Sequence, residues 1–327
     1  SLLDDDAERS RLGEIGNRIV DAEFSFRSYV LDLLKYGGMQ VPRVSVVVPN
    51  FNYAHYLSAR LASITAQTVP VYEIIFLDDG SSDDSIETMQ RLRQTTHPEP
   101  RIVVNHANSG SVFRQWQRGV QLARGDFVWI AEADDLAKSD FLERLLEGML
   151  GDPDVVLGYC QSEAIDEHGR QVMMDYRSYT NDLSMERWSR SYVVDGATEV
   201  DAALAIKNTI PNVSAVLFRR QPLLDVMNGK LEEISRYKVA GDWVVYLHLL
   251  RAGKIFYAPV VCNCHRRHSG SVTQGMAAEM HYREVVELQE SARSMYPLSA
   301  QSVKFAAAYR QQVRKHLGIT DARQAGE

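Results

Sequence analysis

The sequence predicts an α/β fold with an open, mostly parallel central sheet flanked by helices. Three observations lead there. β-Branched or apolar runs recur at 44–48, 73–77, 101–104, 127–131 and 155–159, helical stretches separate them at 56–66, 84–93, 112–123 and 140–150, and polar clusters follow the first, second and fourth runs. Repeated strand, helix, strand order gives right-handed crossovers and gathers ligands at the carboxyl ends of the strands.

Each element has its own warrant. Residues 1–40 read as an N-terminal helical segment, because Leu12, Ile15, Ile19, Ala22, Phe26, Val30 and Leu33 recur at helical spacing before Gly37-Gly38 stops the pattern. Its narrow apolar stripe and few basic residues favour a packing or linker role over a membrane role. Val44-Ser45-Val46-Val47-Val48 then opens the main domain, residues 41–275. Beyond about residue 162 the alternation breaks, and it resumes with a strand at 213–218, a helix at 242–251 and a strand at 254–260. Residues 276–327 read as C-terminal helices, one or two of them over 279–317.

Composition sets the outer limits. The 327 residues are 45% hydrophobic and 24% charged, enough for a substantial core. A net charge of −7 argues against nucleic acid as a partner, since phosphate backbones call for a basic face. No apolar run approaches the roughly 20 residues needed to cross a bilayer, and no secretory signal pattern opens the chain. The expectation is a cytoplasmic protein, free or peripheral at the inner face of the membrane. Cys160, Cys262 and Cys264 do not form a disulfide framework. The run Cys262-Asn263-Cys264-His265-Arg266-Arg267-His268 raises a zinc site as one reading, but a strand entering the core followed by a polar loop is preferred. Ser1 in place of an initiator methionine fits a piece of a longer parent chain with further domains.

The chemistry concentrates at three strand ends: Pro49-Asn50-Phe51-Asn52-Tyr53, Asp78-Asp79-Gly80-Ser81-Ser82-Asp83 and Glu132-Ala133-Asp134-Asp135. Neither a Gly-x-x-x-x-Gly-Lys-Ser/Thr loop nor a Gly-x-Gly-x-x-Gly after the first strand is present, which removes the main support for P-loop NTPase and dehydrogenase readings. Carboxylates hold a diphosphate only through a cation, so these ends imply Mn²⁺ or Mg²⁺.

In order and spacing, the three motifs resemble the inverting family-2 glycosyltransferases of the GT-A fold, which build bacterial polysaccharides and surface glycans. The likeness runs from the opening strand through Ile74-Ile75-Phe76-Leu77-Asp78-Asp79-Gly80-Ser81-Ser82-Asp83 to Gly125-Asp126-Phe127-Val128-Trp129-Ile130-Ala131-Glu132-Ala133-Asp134-Asp135, and covers about residues 42–270. It implies a GT-A domain with a nucleotide-sugar half, 41–161, and an acceptor half, 162–275. It also implies transfer from a UDP- or TDP-sugar to a hydroxyl of a glycan or lipid-linked glycan.

By the resemblance, Pro49, Asn50 and Phe51 belong to the donor site, with Phe51 against the nucleobase and Asp79 accepting the base imide N–H. Asp134 would hold the metal that bridges the diphosphate. Glu132 stands where the family usually has Asp, a carboxylate on a longer arm that still allows metal or ribose contact. Asp242, in Gly241-Asp242-Trp243, matches the position of the catalytic base, against the plainer reading of a helix cap. His268 matches a late basic segment that closes over the diphosphate, and counts with Asp134 and Glu132 as a candidate metal ligand. Asn108 and Arg114 are candidates for donor phosphate, and Asn212, Ser214 and Trp243 for acceptor contacts. Trp116 reads as packing, and Asp83 and Asp84 as helix caps.

Two other classes compete. A sugar nucleotidyltransferase would want a glycine-rich basic loop after the first strand, which Asn50-Phe51-Asn52-Tyr53 is not. A catalytically inactive binding or assembly module would not need both Asp134 and Asp242.

Overall fold

A computed structural model describes residues 41–268 and 277–319. The expected N-terminal helical segment over 1–40 lies outside the described residues, as do residues 269–276 and 320–327. Contacts divide the chain into two units, Ser1–Pro42 and Arg43–Glu327, and the second carries the sheet.

Four strands form the first half of the sheet: β1 (Val44–Asn50), β2 (Glu73–Asp78), β3 (Arg101–Val104) and β4 (Phe127–Ile130). They lie side by side in the order β3-β2-β1-β4, all parallel. The connections are α1 (Ala54–Thr65), α2 (Ser85–Arg93) and α3 (Val112–Leu122). Strand alternation splits β1 between two cores. Val44, Val46 and Val48 pack with Leu57, Leu61 and Ile64 of α1, whereas Val47 packs with Phe113, Trp116 and Val120 of α3. Both faces are covered, as a parallel sheet requires.

The second half departs from simple alternation. After the short β5 (Leu136–Ala137) and α4 (Phe141–Leu150), β6 (Val155–Ile165) does not lie against β4. Between them runs β9 (Val216–Arg219), antiparallel to both. It comes from beyond the irregular stretch, which contains β7 (Gln171–Met173), α5 (Arg177–Thr180), β8 (Tyr192–Asp195) and α6 (Gly196–Glu199). The strand expected over 213–218 thus begins with a 3₁₀ turn over Val213–Ala215. Val216, Leu217 and Phe218 are fully buried, so this slot satisfies them on both faces. α7 (Arg220–Ile234) and α8 (Gly241–Leu249) follow, then β10 (Lys254–Arg266), parallel to β6.

β10 is longer than the strand expected over 254–260, because register shifts near Ala258 and Val261 let it stay paired with β6 as far as Ile165. The cysteine-rich run is therefore mostly strand. Cys262 Sγ faces Asp140, Cys264 Sγ faces Glu163, and Cys160 is a free, buried thiol. The tail forms α9 (Ala278–Met295) and α10 (Ala300–His316). Among the described residues no helix is long and apolar enough to cross a membrane.

Candidate active site

At the ends of β1 and β2 the sequence builds a rigid floor. Asn50 Nδ2 donates to Asp78 Oδ1 at 2.9 Å and to Ser81 Oγ at 3.2 Å, tying the two strand ends together. Asn52 turns the chain at a φ of 60°, a left-handed conformation that asparagine tolerates, and its Oδ1 accepts Ser82 N–H at 2.8 Å. Gly80 has a φ of 75°, and a Cβ there would stand 2.9 Å from the backbone of Ala107 and Asn108. The loop before α3 can therefore lie directly on β2's end.

Asp79 is 5% exposed and organises that loop. Its Oδ1 accepts from Asn105 Nδ2 at 2.6 Å, Ser109 N–H at 3.0 Å and Gln115 Nε2 at 2.6 Å. Oδ2 accepts only the Ser109 hydroxyl, at 2.8 Å, which leaves acceptor capacity on one oxygen. Beside this floor Phe51 is 43% exposed, an aromatic face open to solvent at a strand's carboxyl end.

The acidic end of β4 is held by groups from three other elements. Asp134 Oδ2 lies 3.0 Å from His268 Nε2, and that contact raises the imidazole's pKa. Tyr53 and Tyr56 pack on the same imidazole, and the Arg266 guanidinium lies 4.5 Å over the Tyr56 ring. Asp135 is buried, its Oδ1 accepting Arg266 N–H at 2.8 Å and its Oδ2 accepting Asn212 Nδ2 at 2.7 Å. Burial, with Asp134 next to it, pushes its carboxyl up to about 7. Glu132 accepts Trp116 Nε1–H at 3.0 Å, and burial together with Asp134 pushes it up to about 8. Beneath them Arg60 is fully buried, its guanidinium 4.9 Å over the Trp129 ring and without a hydrogen-bond partner among the described residues. Its charge offsets Asp135, Asp134 and Glu132, while burial lowers its own pKa to about 10.

Asp134 and His268 fit a divalent cation. An oxygen and a nitrogen each bound at about 2.1 Å and at right angles stand about 3.0 Å apart, the separation observed. A carboxylate with one imidazole leaves most of a shell to water and phosphate oxygens, the habit of Mg²⁺ and Mn²⁺ in phosphate sites. Among the described residues no three His, Cys, Asp or Glu side chains gather as a ready-made metal cage. Glu132 does not join the pair, because its Oε1 is turned to Trp116.

Asp242 opens α8 half-buried. Its Oδ2 accepts Asn208 Nδ2 at 3.1 Å, and Oδ1 accepts the Trp243 N–H at 2.7 Å. Burial pushes its carboxyl up to about 7, where a general base works best at neutral pH. A Cβ on Gly241 would come within 2.4 Å of the Phe113 ring, so glycine here seats the start of α8 against α3. The buried Tyr246 hydroxyl has no hydrogen-bond partner among the described residues, and burial, with the charges of Asp242 and Glu132 adding to it, raises its pKa.

Several expected ligand contacts are occupied by internal partners. Trp243 is 2% exposed and its indole N–H donates to Leu204 O at 2.8 Å, so it is a core residue and not an acceptor contact. Ser214 is fully buried, with its hydroxyl accepting Glu132 N–H at 3.1 Å. Asn212 turns its amide to Asp135 and its carbonyl to Ala215 N–H and Asn263. Both support the acidic loop. Pro49 lies inside β1 opposite Leu77, and Asn50 is buried. Asn108 is exposed and accepts Gly110 N–H at 2.7 Å, while Arg114 points along the surface to Glu232 at 3.8 Å. Of the two expected caps, Asp83 accepts the N–H of Ala54 and Ser85, whereas Asp84, at the N-cap of α2, makes no side-chain cap bond. Arg60 joins the site unannounced, whereas Asp135 closes the acidic motif that the sequence already displays and Asn208 stands four residues before Asn212. Only the position of Arg60 among the apolar residues of α1 signalled its burial.

Known proteins share both the sequence pattern and the fold. The family model described as "Glycosyl transferase family 2" matches residues 45–221. An uncharacterised glycosyltransferase of Nostoc sp. is 35% identical over 105 residues, which is 32% of this chain and 32% of that protein's length. The chain thus matches about a third of that relative. Among solved structures, Staphylococcus aureus TarS 1-349 in complex with UDP-GlcNAc aligns with a TM-score of 0.61 at 17% identity, covering 85% of this chain and 73% of that one. The mannosyltransferase PcManGT of Pyrobaculum calidifontis, in complex with GDP-Man and Mn²⁺, aligns with a TM-score of 0.56 at 18% identity, covering 85% and 71%.

Proposed function

From the premise that this chain belongs to glycosyl transferase family 2, with a GT-A type fold, and is a glycosyltransferase, we propose that it moves a sugar from a UDP- or TDP-sugar to a hydroxyl of a glycan acceptor by single displacement with inversion. The observation that carries the reading is the Asp134–His268 pair at the end of β4, with Asp79 and Phe51 beyond it and the raised carboxyl of Asp242 on α8. On this reading 41–161 form the donor half and 162–275 the acceptor half.

The nucleobase stacks on Phe51 and gives its imide N–H to Asp79 Oδ2. Asp134 and His268 are the residues that would hold Mn²⁺ or Mg²⁺, and the ion's chemistry is to neutralise charge on the departing diphosphate. That the PcManGT complex contains Mn²⁺ supports this assignment, as the UDP-GlcNAc in the TarS complex supports a uridine donor. Asp242 takes the proton of the acceptor hydroxyl as its oxygen bonds to the anomeric carbon. The bond from that carbon to the diphosphate oxygen breaks, and its electron pair leaves with the diphosphate. Asn208 holds the carboxylate for that task.

Calorimetric titration with UDP, TDP, CDP and GDP, with and without Mn²⁺, tests the donor half. UDP and TDP should bind in Mn²⁺ and lose most of their affinity in EDTA. Equal binding of all four nucleotides, or no metal effect, would remove the donor assignment.

A further inference from the structure

Helix α9 grips the backbone on both sides of the proposed base. Glu284, 5% exposed, turns both carboxylate oxygens onto the segment that delivers Asp242. Its Oε1 accepts Lys238 N–H at 2.7 Å, and Oε2 accepts those of Val239 and Ala240 at 3.2 and 3.1 Å. These consecutive amides end at Ala240, the residue immediately before α8. Further along α9, buried Gln289 donates from Nε2 to Ile206 O at 2.6 Å, just before Asn208, and its Oε1 accepts Arg310 Nε–H from α10. The Tyr296 hydroxyl, after α9, donates to Leu247 O near the other end of α8. Asn208, before β9, and Asp242, in the first turn of α8, are 34 residues apart, and their hydrogen bond depends on both backbones being held in place.

We propose that Glu284 and Gln289 are positioning residues for glycosyl transfer: through them α9 fixes the backbone beside Asn208 and Asp242 and so aims the carboxylate at the acceptor hydroxyl. This rests on Asp242 as the base. Only an ionised carboxylate can accept three converging N–H groups, and a carboxamide would turn an NH₂ against one of them. Burial is the main cause of the raised Asp242 pKa, and the Glu284 charge adds a smaller push in the same direction. The charge of Asp242 also bears on Tyr179 of α5 and Tyr246 of α8, and that of Glu284 on Tyr237 and His281. Neither Glu284 nor Gln289 bonds to Phe51, Asp79, Asp134 or His268, so the donor site should not feel their loss.

The test uses the full chain as wild type and as Glu284→Gln, Gln289→Ala and Asp242→Asn. Binding of UDP with Mn²⁺ is measured by calorimetry, and nucleotide diphosphate release is followed across pH with whichever of UDP-GlcNAc, other UDP-sugars or TDP-sugars the wild type turns over. Glu284→Gln and Gln289→Ala should each lower kcat roughly tenfold or more, the scale of a misplaced catalytic group, with UDP Kd within about twofold of wild type. In Glu284→Gln the acidic limb of the kcat profile should also move to lower pH, which a merely structural loss would not do. If Asp242→Asn is inactive while both α9 variants keep wild-type kcat and pH profile, the positioning proposal fails and the base reading stands. If Asp242→Asn keeps wild-type kcat, the base reading fails and takes the proposal with it. Should Glu284→Gln not fold, Gln289→Ala decides: wild-type kcat, or UDP binding that falls in step with kcat, overturns the proposal.

Discussion

Replacing Asp79 by Asn should reverse which pyrimidine the protein prefers. The substitution exchanges one carboxylate oxygen for an NH₂, and the surroundings dictate which one. Oδ1 accepts from Asn105, Ser109 N–H and Gln115, so the amide must keep its oxygen there. The NH₂ then takes the place of Oδ2. Ser109 Oγ adapts by accepting from it, because its proton already has an alternative in Ser111 O at 3.1 Å. The loop therefore survives, while the remaining N–H meets the N3–H of uracil donor to donor. A hydrogen bond to a charged group contributes about 1.5–3 kcal/mol, so UDP and TDP affinity should fall roughly 10- to 150-fold. Cytosine presents a lone pair at N3, so CDP should bind the variant better than it binds the wild type. Calorimetric titration in Mn²⁺, with a melting curve to show an intact fold, makes the comparison. Unchanged UDP affinity, or equal losses for UDP and CDP, would mean that Asp79 shapes the loop without reading the base.

Three further outcomes follow from other parts of the site. Asp242→Asn should bind UDP normally yet transfer roughly 10²-fold more slowly, and the wild-type kcat should fall as pH drops through about 7, where Asp242 protonates, a limb missing from the variant's kinetic profile. The sign for stability is opposite: because burial lifts the folded pKa to about 7 from 3.8, the stabilising contribution of the protonated group is full below about 3.8 and is lost as pH rises through about 7. Asp134→Ala and His268→Ala should each weaken Mn²⁺-dependent UDP binding and activity together, and full turnover in excess EDTA would end the metal assignment. Trp243→Ala should cost about 3–5 kcal/mol in denaturant unfolding, since it empties core volume and leaves Leu204 O unpaired, whereas a stable variant with weakened acceptor binding would restore Trp243 to the acceptor site.

The first half of the sheet was legible because its signals are local. β-Branched runs place β1 to β4, and the acidic groups that end them must stand at the strands' carboxyl ends in any parallel sheet. The second half of the sheet was not, because its partners are set by register and by distant insertion. Nothing in Val216–Phe218 announces a strand that slips antiparallel between β4 and β6. Nor does the sequence show that Arg266 N–H reaches Asp135, which depends on the register shifts of β10. Residue type identified Ser214 and Asn212 as polar groups near a site, but which of their atoms are already bonded is decided by the fold, and the fold turns them to Glu132 and Asp135. Asp242 was readable as a cap or a base, but the N-cap of α8 is Ala240 and Asp242 stands within the first turn, its Oδ1 taking the Trp243 N–H and its Oδ2 the Asn208 amide.

Single displacement is tested most directly by the configuration of the first product. Slow turnover of an α-linked UDP- or TDP-sugar in Mn²⁺, followed by time-resolved proton NMR of the anomeric signal, needs no knowledge of the natural acceptor because water can take its place. With Asp242 deprotonating a nucleophile on the face opposite the diphosphate, the β-anomer of the free sugar must appear first and then relax by mutarotation, and Asp242→Asn must slow its appearance. If the α-anomer appears first, the displacement is not single and Asp242 is not its base.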